Sequence, residues 1–404
     1  YYGKKVEDLT LAQMATIAAL PKAPSTLNPI ANPSRSLTRR AYVLGRMIKL
    51  EMISQADYNA AMAQPITATL HSQPSEVNAP YLAEMVRSKM VEKFGNDAYT
   101  HGYEVHTTLS PRLQNAANRA LRMALISYDR RHGYRGPEAT YELSAPIDYL
   151  EIDRILDNAA TIGNLIPAVV TSIDTEENSA EVYLGNNITA VIPLSSVEWA
   201  RKYLSDNSLG PEVKSMSDVL SIGDQIRLEK IIPDSEDTDA PQWKLAQIPQ
   251  VSGAFVSLNP DDGGIIALTG GFDFLQSKFN RVTQAKRQAG SGLKPFIYSA
   301  ALDNGFTTAS LINDAPVVFD DPSLENTWRP ENYSGKFYGP TRLREALTLS
   351  RNLVSIRLLK EMGPSKGIKH LTKFGFDKSK LPRDLSLALG SASLTPLEVA
   401  TGYC

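Results

Sequence analysis

Arg287-Gln288-Ala289-Gly290-Ser291-Gly292-Leu293-Lys294-Pro295-Phe296 opens a helix that the apolar pattern carries from 291 to about 303. The helix closes at Asn304-Gly305, where a glycine suits the left-handed residue after a helix end. Ser291 and Lys294 stand three residues apart at its start, so both side chains project from one face of the first turn. The positive end of the helix stabilises an oxyanion there and lowers the proton affinity of a nearby lysine. A desolvated lysine at that spot takes the proton from a serine hydroxyl, as an activated serine requires where no histidine serves. Pro295 is tolerated because first-turn N–H groups have no helical partner. An SxxK spacing also describes an N-cap serine followed by a surface lysine, and on motif and placement alone both readings stand.

On either side of this helix the pattern is mixed. Apolar strands at 253–258 and 264–268 join at Asn259-Pro260-Asp261-Asp262-Gly263, a hairpin signal. Helical segments follow at 342–351, 354–362 and 366–374, and 394–403 reads as a helix under way. Residues 250–404 therefore read as part of an α/β domain whose sheet is completed by strands outside this chain. SxN occurs three times. Ser205-Asp206-Asn207 reads as a polar loop and Ser257-Leu258-Asn259 as the hairpin bend. Ser350-Arg351-Asn352 is a polar break between two apolar helices, placed to wall a cleft, relay a proton and grip a peptide carbonyl.

Residues 146–249 change to strands at 166–173, 180–184, 188–194, 225–232 and 243–248, with an Asn186-Asn187 turn and a short helix at 195–204. A helix between the third and fourth of five strands is the order of an OB-like barrel. The strands lack the basic groove and spaced aromatics of a nucleic-acid binder, so a spacer or protein-docking module is the reading. Residues 66–145 read as a connector, with a strand at 103–108, a helix capped by Ser110-Pro111, and an exposed loop at 128–134. Residues 1–65 read as a helical hairpin with a Pro-rich connection.

Composition sets bounds. A net charge of −2 gives no electrostatic reason for nucleic acid or an anionic membrane surface as partner. The lone Cys404 excludes a disulfide framework within the chain. His71, His101, His106, His132 and His370 show no metal-binding spacing and read as structural.

Taken together, the motifs are specific. RQAGSGLKPFIY and the distal Ser350-Arg351-Asn352 resemble the transpeptidase domain of class A penicillin-binding proteins. Gly270-Gly271-Phe272, Phe279-Asn280-Arg281, Trp328-Arg329-Pro330-Glu331-Asn332 and LALGSASL at 387–394 fit the same domain. Tyr2-Gly3-Lys4, LTLAQMATIAALPKAPSTLN at 9–28 and Arg39-Arg40 are similar to the tail of the family's glycosyltransferase domain. The OB-like insertion points to the 1A type of Gram-negative bacteria. The implied fold is multidomain α+β. It comprises the tail of a lysozyme-like glycosyltransferase domain (1–65), a connector (66–145), an OB-like barrel (146–249) and part of a β-lactamase-like serine transpeptidase domain (250–404).

The resemblance implies a bifunctional enzyme of cell-wall synthesis that polymerises lipid II and cross-links stem peptides. It makes Ser291 the nucleophile, Lys294 the base, Ser350 a proton donor to the leaving D-alanine and Asn352 a holder of the donor peptide. It implies β-lactams as inhibitors, an outer-membrane lipoprotein activator on the OB-like domain, and a single N-terminal anchor in the inner membrane with the domains in the periplasm. Transpeptidation needs no cofactor, and any divalent metal of the glycosyltransferase would sit outside this chain. The family's KTG or KSG motif, its glycan-polymerising carboxylates and its anchor do not occur here, so the chain reads as a piece cut inside a domain at each end, expected to be inactive alone. Two rivals stand beside this reading: a carboxypeptidase or β-lactamase-like hydrolase, and a non-catalytic wall-binding scaffold.

Overall fold

Thr10 starts the first helix through a reciprocal cap: its hydroxyl accepts from the Gln13 N–H at 3.3 Å and the Gln13 side chain accepts from the Thr10 N–H at 3.1 Å. The computed structural model describes residues 1–69, 75–231, 243–317 and 328–404, in two units, Tyr1–Glu76 and Val77–Cys404. His71 and Ile232, both read above from the sequence, lie outside the described residues. In the first unit, α1 (Leu11–Ala19) and α2 (Pro33–Lys49) pack with a third helix, α3 (Gln55–Ala63). Ala12, Ala15, Leu44 and Ala61 form their core, the small residues letting the helices approach closely. Arg40 is buried among them and donates to the Gln64 carbonyl at 2.5 Å.

The second unit begins with α4 (Pro80–Phe94) and α5 (Pro111–Arg130), the latter entered through Ser110 and Pro111 as expected. The 103–108 stretch is not a strand. Side chains tie it down instead, Tyr103 stacking on Phe94 and the Thr108 hydroxyl donating to the Ile265 carbonyl. The expected loop at 128–134 is also corrected, because α5 continues to Arg130 and both Asp129 and Tyr134 are buried. Asp129 is polar, yet burial suits it because every lone pair is filled. Arg135 donates at 3.0 and 2.7 Å, the Gln247 amide at 2.8 Å and the Gln250 N–H at 3.1 Å. Asp129→Ala should therefore destabilise the second unit by about 2 to 4 kcal/mol, leaving the half-buried Arg135 guanidinium without its carboxylate and the Gln247 and Gln250 donors unpaired. Chemical denaturation followed by tryptophan fluorescence checks this.

After β1 (Ala139–Thr140) and α6 (Tyr149–Asp157), the barrel is built from β2 (Leu165–Asp174), β3 (Ser179–Gly185) and β4 (Ile188–Pro193). A small hairpin of β5 (Tyr203–Ser205) and β6 (Ser208–Leu209) precedes β7 (Asp224–Lys230) and β8 (Trp243–Ala246). The antiparallel order is β1-β7-β2-β3-β4, with β8 on β7. β8 also runs beside β4, as an OB-like closure requires. Asn186 and Asn187 turn the β3–β4 hairpin at φ of 53° and 59°, which asparagine tolerates. The expected helix at 195–204 is instead a 3-10 turn, Leu194–Ser196, a further turn at 197–199 and extended chain at 202–205. Backbone pairing overrides its helical pattern: the Tyr134 N–H donates to the Arg201 carbonyl and the Tyr203 N–H to the Tyr134 carbonyl.

β9 (Phe255–Leu258) and β10 (Ile265–Thr269) pair antiparallel. Gln114 of α5 extends this sheet with its side chain, donating to the Leu268 carbonyl and accepting from the Leu268 N–H, both at 2.8 Å. Then come α7 (Arg281–Gln284), β11 (Arg287–Gln288), α8 (Lys294–Asp303), and the paired β12 (Leu311–Asp314) and β13 (Gly339–Arg342). The chain continues with α9 (Leu343–Thr348), α10 (Asn352–Met362), α11 (Pro364–Leu371), β14 (Ser393–Leu394) and α12 (Pro396–Tyr403). α8 is apolar nearly all round and is buried accordingly, with Ile297, Ala300 and Ala301 packed among Ala346, Val354, Leu358, Leu371 and Leu387. This central helix carries Lys294. Among the described residues, no helix is long and apolar enough to cross a membrane.

Candidate active site

Two glycines shape the turn that presents Ser291. β11 pairs with β14, and the pairing runs on through Ala289 N–H to the Ala392 carbonyl (3.2 Å) and Gly290 N–H to the Gly390 carbonyl (3.0 Å). Gly290 and Gly390 both have positive φ, 58° and 72°, and lie so close that a Cβ on Gly390 would sit 1.9 Å from the Gly290 carbonyl oxygen. The LALGSASL stretch thus clamps the segment leading into Ser291. Residues Gly290–Leu293 form a 3-10 turn, and the α-helix itself begins at Lys294, three residues later than expected. The relation of the two side chains survives this shift, since residues i and i+3 eclipse in a 3-10 turn. Ser291 is exposed, and the Tyr403 hydroxyl steadies the turn by donating to the Gly292 carbonyl at 2.7 Å.

Lys294 is buried, with 1% of its surface exposed. Its ammonium donates to three acceptors: the Ser350 carbonyl (2.8 Å), the Ser350 hydroxyl (3.0 Å) and Asn352 Oδ1 (2.7 Å). Burial pulls its pKa down to about 8. About one lysine in ten is then neutral at pH 7. Of the three acceptors, only the Ser350 hydroxyl can reverse and donate to the neutral amine.

The Ser350 backbone lies in the left-handed region at φ 52°, between α9 and α10. Strain of this kind costs of order 1–3 kcal/mol and persists where neighbours enforce it. Arg351 supplies one restraint by stacking over the Tyr338 ring at 3.4 Å. Asn352 is held at both ends of its amide, with Oδ1 on Lys294 and Nδ2 donating to the Glu331 carbonyl at 2.9 Å.

Another serine lies near a base. Ser299, His370 and Asp303 form a line, with Ser299 Oγ to His370 Nε2 at 3.0 Å and His370 Nδ1 to Asp303 Oδ2 at 3.1 Å. Ser299 is mid-helix in α8, where no free backbone N–H can stabilise an oxyanion, so this group ties α11 to α8. Ser205-Asp206-Asn207 lies on the β5–β6 hairpin and Ser257-Leu258-Asn259 at the end of β9; neither adjoins Lys294 by hydrogen bonding among the described residues.

Residues 1–48 match the Transglycosylase family, 134–251 the penicillin-binding protein OB-like domain, and 253–402 the penicillin-binding protein transpeptidase domain. Across its full length the chain is 50% identical to penicillin-binding protein 1A of Pseudomonas aeruginosa and 43% identical to that of Escherichia coli. It covers 48% and 46% of those proteins, about half the length of the curated relatives it matches. The chain belongs to the penicillin-binding protein 1A family. A crystal structure of penicillin-binding protein 1A from Haemophilus influenzae superposes over the whole chain at a TM-score of 0.81 and 38% identity, the chain covering 57% of it. Read within that family, Ser291 and Lys294 lie in the part that matches its transpeptidase domain. The motifs Trp328–Asn332 and 387–394 resembled this family without showing what they do; in the structure one holds Asn352 and the other clamps the Ser291 turn.

Proposed function

We propose that the protein of which this chain is part cross-links the stem peptides of bacterial peptidoglycan through a Ser291 acyl-enzyme, and polymerises lipid II through its glycosyltransferase domain. The observation that carries the cross-linking reading is Lys294: a buried amine with a depressed pKa, one 3-10 turn from an exposed serine and bonded to both polar residues of SxN. The neutral Lys294 amine takes the Ser291 proton as Oγ attacks the carbonyl carbon between the two terminal D-alanines. The C–N bond then breaks, and the departing amine receives the proton from Lys294 through the Ser350 hydroxyl. An amine of a second stem peptide attacks the ester, its proton goes to Lys294, and Ser291 regains its hydrogen as the new amide forms. The Ser291 N–H serves as one oxyanion donor, and Asn352 holds the donor peptide. Nucleophile, base and relay are all side chains, so this acyl transfer uses no cofactor.

β-Lactams present a strained amide to the same serine and acylate it. We further propose an inner-membrane anchor with the domains in the periplasm, and a lipoprotein activator of the outer membrane docking on the OB-like domain. The experiment that tests the functional reading supplies the full-length protein with lipid II. Parent protein should yield cross-linked glycan, whereas Ser291→Ala should yield glycan strands of similar length with no cross-links. Cross-links from the Ala variant would reject Ser291.

A further inference from the structure

We propose that Asp314 and Asn332 form a buried brace that aims Asn352 at Lys294, making both positioning residues for acylation; the inference rests on the functional reading above. Asp314 ends β12 and is completely buried; Asn332 is buried beside it. Neither is near the reacting serine in sequence. Their hydrogen bonds have a fixed direction. The Asp314 carboxylate only accepts, so it takes the Asn332 Nδ2 at 2.8 and 2.9 Å, and the Lys336 carbonyl accepts from the same nitrogen at 2.9 Å. The opposite end of that amide, Oδ1, must then face the start of α10. There it accepts from the Asn352 N–H at 2.9 Å and the Leu353 N–H at 3.4 Å, capping a helix whose own N-cap residue, Arg351, supplies no side-chain bond.

The same segment fixes the Asn352 side chain. The adjacent Glu331 carbonyl takes the Asn352 Nδ2, which leaves Oδ1 turned toward Lys294 Nζ at 2.7 Å. One end of each amide is thus committed to an acceptor, and the other end is forced to present oxygen. Turning Asn332 over would set its NH2 against the N–H groups of α10 and its oxygen against a carboxylate. Burial makes either mismatch expensive.

The test measures penicillin acylation of the full-length protein, separating the limiting rate from the half-saturating concentration. Asn332→Asp sets two carboxylates face to face. Asp314→Asn frees the Asn332 amide to turn. Each single variant should slow the limiting rate by about tenfold or more while the half-saturating concentration stays within about threefold of the parent. The swap Asp314→Asn with Asn332→Asp restores one amide-to-carboxylate bond and still presents an oxygen to α10, but it sets a carboxylate oxygen against the Lys336 carbonyl, so its rate should recover in part, to at least about threefold above the slower single variant. Recovery by the swap supports the brace even if a single variant fails to fold. Single variants that fold and acylate at the parental rate overturn it. So does a folded swap as slow as the singles, and so does a swap that does not fold, because the pair would then set the local fold and not the aim of Asn352. A parent protein that penicillin fails to label at Ser291 sinks the functional reading instead, whatever the variants do.

Discussion

Lys294→Arg should slow acylation of Ser291 by about 100- to 10,000-fold in the full-length protein, the range typical of a lost general base. Arginine keeps the charge but stays protonated at any working pH, so it cannot accept the serine proton. The planar guanidinium also cannot reproduce a compact ammonium held by the Ser350 carbonyl, the Ser350 hydroxyl and Asn352 Oδ1. The pH profile carries the more specific expectation. Burial holds Lys294 at about 8 against an ordinary 10.5, so the parental rate should rise with pH through about 8 and then level off. That limb should vanish in the arginine variant. The same shift has a sign for stability: between about 8 and 10.5 the unfolded chain binds the proton and the folded one does not, so this residue's contribution to stability rises with pH in that window. A variant rate within about tenfold of the parent, about 1.4 kcal/mol, would place the base elsewhere.

Gly390→Ala should abolish penicillin labelling and destabilise the 250–404 region by about 3 to 5 kcal/mol, although residue 390 touches no reacting atom. Two costs coincide there. At φ 72° a side chain is strained in any space, and here the added Cβ would lie 1.9 Å from the Gly290 carbonyl oxygen. The clash is with backbone, so no rotamer relieves it. The segment that yields is either the LALGSASL turn, which releases the clamp on Ser291, or the turn of Ser291 itself, which shifts the serine relative to Lys294. Thermal unfolding and fluorescent-penicillin labelling of the same preparation check the two effects together. A folded variant that labels at the parental rate would show that the clamp does not position Ser291.

The parts of this molecule legible in sequence are those governed by short-range spacing. Ser291 with Lys294, Ser350 with Asn352, the Asn186-Asn187 hairpin and the five barrel strands each announce themselves within ten residues or so. Residues set by distant partners are the ones that hide. Asp129 reads as part of an exposed loop, and only Arg135, Gln247 and Gln250 arriving together make it a buried hub. The 195–204 segment has a helical composition, but Tyr134 claims its backbone as a partner. Asp314 carries no local pattern, and the motif ending at Asn332 does not say what Asn332 does, because their meaning lies in the amide of Asn352 and the helix it begins. Gly390 could be suspected of a positive φ, but not of facing Gly290.

The most direct test of the account locates the acyl group. The full-length protein is incubated with penicillin, digested, and the modified peptide sequenced by tandem mass spectrometry. One adduct of the intact drug mass is expected, an ester on Ser291, in the peptide that spans Gly290-Ser291-Gly292, and none after Lys294→Arg within the same exposure. A stoichiometric adduct on any other serine, or on Lys294 itself, would contradict it.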